Sequence, residues 1–381
     1  MSLRAGALTG GLLGFLILGW AAASPAADRI RVALVADQPR VTISSATPLT
    51  VRPARGGAIM TRRARVEALQ DGDAFDSGVV LVNAAAVAGP LTIAGHSSVE
   101  VDGVSYRGSL VVTPQPGGLL VVNDVDLESY VKSVVPSEVP PAWPKEALRA
   151  QAIIARTYAL YHTRGAPRFD VVSSVQSQVY RGYAAENPRT SEAVDDTRGV
   201  IVRSNGRPAF TPYHSTSSGP TEDAIEVWGI DEPYLKGVEC PFDEESAYHR
   251  WDRRFRFAAI ESALRRHGYA IGHLATVTPL ARNRSGRVSM VRLLHSEGEL
   301  VLRGETLRRV LGYQALPSMR FDVVDVGWSA DGRDAEVRIE GGGWGHGVGL
   351  CQWGMKTLAE RGWTAERIIA YYYPGTSVDV R

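Results

Sequence analysis

The chain has 381 residues, 44% of them hydrophobic and 22% charged, which is material for a sizeable core and, at roughly 150 residues per domain, for about two domains. Its 42 Lys and Arg balance 41 Asp and Glu, so it lacks the basic excess of a protein that coats nucleic acid or adheres to anionic membranes. Two cysteines, Cys240 and Cys351, are too few for a disulfide framework.

Arg4 is the only charge before Asp28, the run from Leu12 to Ala23 is apolar, and Ala21 to Ala27 are small residues. This predicts a signal peptide over residues 1–27, cleaved near Ala23 or Ala27, and export to the periplasm or the extracellular wall; an uncleaved membrane anchor is the alternative. Residues 28–125 read as a strand-rich region. Ile30, Val32, Leu34 and Val41, Ile43 alternate with polar or small neighbours, and Gly89-Pro90, Gly103 and Pro114 to Gly118 punctuate later apolar runs. Pro53 to Asp73, with Arg62, Arg63 and Arg65, reads as a solvated face or insert.

Residues 126–381 form a mixed helix/sheet region, giving an α+β protein. Leu127, Tyr130, Val131 and Val134 fall at helical spacing up to Pro136. The turn Pro136 to Pro141 cannot be regular helix throughout, because each proline removes a donor and restricts its predecessor. A long helix then runs from Pro144 to before Gly165, with Ala147, Leu148, Ile154, Tyr158 and Tyr161 on its apolar face. Further helices are expected near Ala258 to Gly268, Gly304 to Leu311, Cys351 to Arg361, and from a Thr364 cap through Tyr372. Strands are expected at Val200 to Arg203, Ala209 to Tyr213, Arg287 to Leu294 and Glu336 to Ile339.

Three segments offer chemistry. Glu138 lies in the proline-rich turn near Val139 and Trp143; apolar surroundings disfavour its charge and suit a proton donor, whereas the start of the following helix favours the anion. His214, Ser215, Thr216 and Ser217 follow a strand and either bind a polyhydroxylated ligand or satisfy their own turn. In Gly341 to Gly349, Trp344 and His346 stand between glycines that let a backbone approach a ligand closely. Cys351 follows this turn without an evident orienting group, so packing is favoured over a thiol nucleophile.

Taken together, Asn123 to Tyr130, Val134 to Pro140, Trp143 to Ala152, Ala155 to Ala159, His214 to Gly219 and Gly343 to Gly354 resemble the stage II sporulation protein D family, which includes proteins described as amidase enhancers. The resemblance implies a lytic transglycosylase acting on peptide-stripped peptidoglycan strands, with Glu138 as its acid. It also implies that His214, Ser215, Thr216, Ser217, Trp344 and His346 hold substrate, and that a cell-wall amidase is a partner. Some family members carry a Cys-x-x-x-His-Cys cluster associated with zinc. Val172, Gln176 and Ser177 stand there in this chain and supply neither thiolate nor imidazole, so no metal or cofactor is expected at that place. The rival readings are a non-catalytic glycan-binding enhancer of an amidase, and a hydrolase whose second carboxylate is Glu222, Asp223 or Glu226. Cys240 and Cys351 either form a disulfide, if the two loops that carry them meet, or stay two free buried thiols.

Overall fold

The computed structural model describes residues 28–68, 78–163, 168–328 and 334–381, so the predicted leader at 1–27 lies outside the described residues. The N-terminal part contains β1 (Arg29–Gln38), β2 (Arg40–Arg55), β3 (Ile59–Ala68), β4 (Val79–Val82), β5 (Ala85–Ala94), β6 (Val99–Val101), β7 (Val104–Tyr106), β8 (Ser109–Gln115) and β9 (Gly118–Asp126). The alternation seen in sequence sets their faces: Val41, Ile43, Leu49 and Val51 of β2 are buried while their neighbours are not. β5 pairs with β2 as well as with β4 and β8, so β2 to β5 close on themselves. Of the two readings of Pro53 to Asp73, the solvated face holds over its described part, which is strand in β2 and β3 and not an insert. Arg62, Arg63 and Arg65 are exposed, while the interleaved Ala64 and the following Val66 enter the core. β9 is buried on both faces: Leu119 and Val121 join the main core, and Leu120 and Val122 pack with Ala33 beneath Phe169 and Val172.

β9 runs directly into α1 (Leu127–Glu138), capped by the Asp126 carboxylate, which accepts from the Ser129 N–H at 2.9 Å. The expected stop at Pro136 is corrected: Pro136 lies inside α1, which continues to Glu138. Proline removes its own N–H but not the next turn's, and the Val139 N–H still bonds the Val135 carbonyl at 3.0 Å. Then come α2 (Lys145–His162), β10 (Val171–Val172), α3 (Pro188–Asp196), β11 (Val200–Ser204), β12 (Arg207–Pro208), β13 (Tyr213–His214) and α4 (Ala224–Trp228). Arg156 of α2 is fully buried; it donates twice to Glu128 of α1 at 2.7 Å and also to the Val194 and Val200 carbonyls. This ion pair locks α1 to α2.

The chain next builds a second apolar core from β14 (Trp251–Arg256), α5 (Phe257–Arg266), β15 (Leu274–Arg282), β16 (Val288–His295), β17 (Gly298–Arg303), α6 (Gly304–Leu311), β18 (Phe321–Trp328) and β19 (Ala335–Gly341). It returns to the first core through β20 (Leu350–Cys351), α7 (Gln352–Glu360), α8 (Ala365–Tyr372) and β21 (Ser377–Val380). The helices expected near 258, 304, 351 and 364 are present, and Thr364 caps the last of them. Among the described residues no helix is long and apolar enough to cross a membrane.

Candidate active site

A cleft of about 740 Å³ is lined from the first core by Glu138, Gln176, Ser177, Tyr213, His214, Ser215, Trp228 and Gln352. The Gly-rich turn contributes Trp344 and His346, and the second core contributes Glu305, Arg308, Tyr313 and Gln314. β13 pairs in parallel with β20, and Thr216 bridges Trp344, so the two sequence-distant loops are zipped side by side. The glycines are needed here. Gly345 has φ of +117°, and a Cβ on it would sit 2.6 Å from the His214 Cβ; Gly349 has φ of +70°, and a Cβ would meet the Pro212 carbonyl oxygen.

Glu138 is the last residue of α1, and that helix end carries partial negative charge, so the α1 dipole opposes its anion. Burial raises its pKa above the ordinary value. The Val179 N–H donates to its carboxylate at 2.7 Å and partly offsets this, as do the Tyr213 hydroxyl and the Gln352 amide beside it and the charge of Arg181. The donors have fixed directions. Tyr130 O–H donates to Gln178 Oε1 at 3.1 Å, and Gln178 Nε2 donates to the Tyr213 oxygen at 3.1 Å, which leaves the Tyr213 hydrogen for Glu138. The group is therefore disposed to hold a proton, with three donors ready for the carboxylate once it is lost.

Both nitrogens of His214 are engaged within the protein: Nδ1 lies 3.1 Å from the Val348 carbonyl and Nε2 2.7 Å from the Ser217 hydroxyl. The carbonyl can only accept, so Nδ1 carries the hydrogen. Burial and the neighbouring His346 and Arg287 hold the pKa of His214 well below the ordinary value, and the ring is neutral. His346 accepts from the Val348 N–H at 3.0 Å and is pushed down to about 3 by burial and by Arg308. Its ring lies 4.8 Å from Trp228 and 5.7 Å from His214. Trp344 packs 4.1 Å from Tyr248.

The hydroxyl run divides. Ser215 lines the cleft, whereas Thr216 and Ser217 are buried and hold the loop. Thr216 bonds Ser246 at 2.6 Å, and Asp243 accepts from the Ser217 and Ser218 N–H groups. The polar-turn reading describes these two residues. None of the three candidate second carboxylates lines the cleft. Glu222 is buried and held by Asn283 and Ser285, Asp223 caps α4, and Glu226 is exposed on that helix. Glu305, which the sequence did not single out, is the other carboxyl there; burial raises its pKa, and Arg308 opposes that.

Cys240 and Cys351 do meet, but as free buried thiols. Cys351 donates to Asp243 Oδ2 at 3.3 Å, and Cys240 lies 3.3 Å from the Tyr372 hydroxyl. Burial keeps the Cys351 thiol well above its ordinary pKa, which does not suit a nucleophile. Cys240, Asp243 and Cys351 are the one group of three metal-ligating side chains found together among the described residues. Asp243 already accepts from Ser217, Ser218 and His249.

Residues 115–203 match the family described as "Stage II sporulation protein", and residues 232–349 match a family described as a domain of unknown function. An uncharacterized protein of Brachyspira hyodysenteriae is 32% identical over 281 residues, 73% of this chain and 73% of the relative. Stage II sporulation protein D of Bacillus subtilis is 30% identical over 274 residues, 68% of this chain and 75% of that protein. The amidase enhancer of the same organism is 25% identical over 297 residues, 65% of this chain but 40% of the longer relative.

Proposed function

The chain belongs to the stage II sporulation protein D family, a membership that carries a cell-wall-related role, and from that premise and the geometry of the cleft we propose that it is a peptidoglycan lytic transglycosylase. The observation that carries this reading is Glu138: one carboxyl, its pKa raised by burial, facing the cleft with donors poised for its anion. Protonated Glu138 gives its proton to the glycosidic oxygen between N-acetylmuramic acid and N-acetylglucosamine. The C1–O bond breaks, and Val179, Tyr213 and Gln352 stabilise the carboxylate left behind. That carboxylate takes the proton of the muramic acid 6-hydroxyl as its oxygen bonds C1, giving a 1,6-anhydro end. The acid is regenerated and no water is consumed. A single carboxyl is sufficient; Glu222, Asp223 and Glu226 lie elsewhere, and this reading gives Glu305, the other carboxyl of the cleft, no part in the step.

Export through the predicted leader brings the protein to its substrate, and the relative named amidase enhancer supports a cell-wall amidase as its partner. A second reading draws on the relative named amidase enhancer: the same cleft binds glycan without cleaving it and stimulates an amidase. Glu138→Gln separates the two. The transglycosylase reading predicts that turnover of peptide-free strands falls by roughly 100-fold or more while strand binding remains. Unchanged turnover in the variant contradicts the assignment of Glu138.

A further inference from the structure

Among the described residues three aromatic side chains are strongly exposed: Tyr183, Trp228 and Tyr313. Tyr183 does not line the cleft. The other two line the cleft, one from each core: Trp228 is 41% exposed and Tyr313 39%. Large apolar surface left in water is unfavourable, so two such rings at one cleft call for an occupant.

Each ring has neighbours that orient it. Trp228 ends α4, which Asp223 caps and Gly229 terminates in the left-handed conformation. Its indole is held at tilted contacts by Phe210 (5.5 Å) and His346 (4.8 Å). The contacts continue from Phe210 to Tyr158 (5.9 Å) and from Tyr158 to Tyr213 (6.4 Å), whose hydroxyl lowers the Glu138 pKa, so an aromatic layer joins this wall to the acid. Tyr313 follows Gly312, and the Arg308 guanidinium lies 4.7 Å over its ring.

A fixed aromatic ring with polar groups beside it matches one ligand chemistry closely. Pyranose sugars carry hydroxyl and amide groups at their rims and C–H bonds on their faces. The C–H faces complement the negative face of an aromatic ring, while Ser215, Gln176 and Gln314 in the same cleft can meet the rims. We propose that Trp228 and Tyr313 are sugar-stacking platforms, one on each wall, that hold the glycan strand while Glu138 acts. This inference rests on the glycan reading above and names two specificity residues for it.

The test measures binding of peptide-free glycan strands to the protein carrying Glu138→Gln, so that bound strands persist. Trp228→Leu and Tyr313→Leu keep apolar bulk and remove the ring. Each is expected to weaken binding about tenfold at an unchanged melting temperature, with affinity largely recovered in Trp228→Tyr and Tyr313→Phe. Unchanged affinity in both Leu variants overturns the proposal, as does a parent protein that binds no strands. If a Leu variant melts early, the aromatic pair decides alone: weak binding by Trp228→Tyr and Tyr313→Phe, both folded, also overturns it. A protein that binds strands through these rings yet forms no anhydro ends keeps this inference and removes the transglycosylase reading.

Discussion

Glu138 is held between opposed influences, and their balance has two consequences for pH. Burial keeps its folded pKa above the ordinary 4.5. An acid that must start protonated is active below that raised value and fails as pH rises through it, so kcat/KM has an alkaline limb. Tyr213 donates to the anion and lowers this pKa, so Tyr213→Phe moves the limb to higher pH; a limb at unchanged pH means the hydroxyl does not reach the carboxyl. The same shift governs stability. A proton bound more tightly in the folded state contributes stability that is present at low pH and is lost as pH rises through the folded pKa. Glu138→Gln is therefore at least as heat-stable as the parent at neutral pH, and the difference disappears below pH 4.5. His346 has the opposite sign. Its pKa falls from 6.5 to about 3, so stability is present above 6.5 and drains away as pH falls toward 3. His346→Gln flattens the slope of Tm against pH over that window, and equal slopes contradict a ring buried neutral. Glu138, Trp344 and His346 were legible because single motifs present them. Tyr213, Gln178, Gln352 and Glu305 were not, because β13 spans two residues and Glu305 belongs to another core; only tertiary pairing brings them to the acid.

The elements that position the acid depend on a few buried contacts. α1 is fastened to α2 by the Glu128–Arg156 pair, with Arg156 wholly enclosed. Removing one partner strands the other charge, so Arg156→Met costs about 3–5 kcal/mol in denaturant unfolding; a loss below about 1 kcal/mol would show that the pair is hydrated in solution. Gly349 tests the zipper between the two loops. Gly349→Ala forces a Cβ against the Pro212 carbonyl at a left-handed position and is expected to destabilise by at least about 1–3 kcal/mol. The long helices were readable from their 3.6-residue apolar spacing, and the Thr364 cap from its chemistry. Pro136 does not mark the end of α1, because a proline disturbs the turn before it and not the one after. β15 and β17 were missed because Thr276, Thr278, Glu299 and Arg303 dilute the apolar alternation, and α4 is too short to show a period.

At the scale of the molecule, the cleft is the seam between two cores, and the sequence carried no sign of that seam because residues 126–381 are continuous in composition. The cysteines belong to this scale, since Cys240 and Cys351 lie where the chain leaves the first core and where it returns. Both are free, so alkylation followed by intact-mass analysis should label neither thiol in native protein and both in unfolded, unreduced protein; no labelling after unfolding would reveal a bridge. The central claim concerns what leaves the cleft. Digestion of purified peptide-free glycan strands in 18O-labelled water, followed by mass spectrometry of the new ends, measures it directly. The account predicts muramic ends one water lighter than hydrolysis products and free of 18O. Full-mass reducing ends carrying 18O would contradict it and assign a hydrolase, with Glu305 as its second carboxyl.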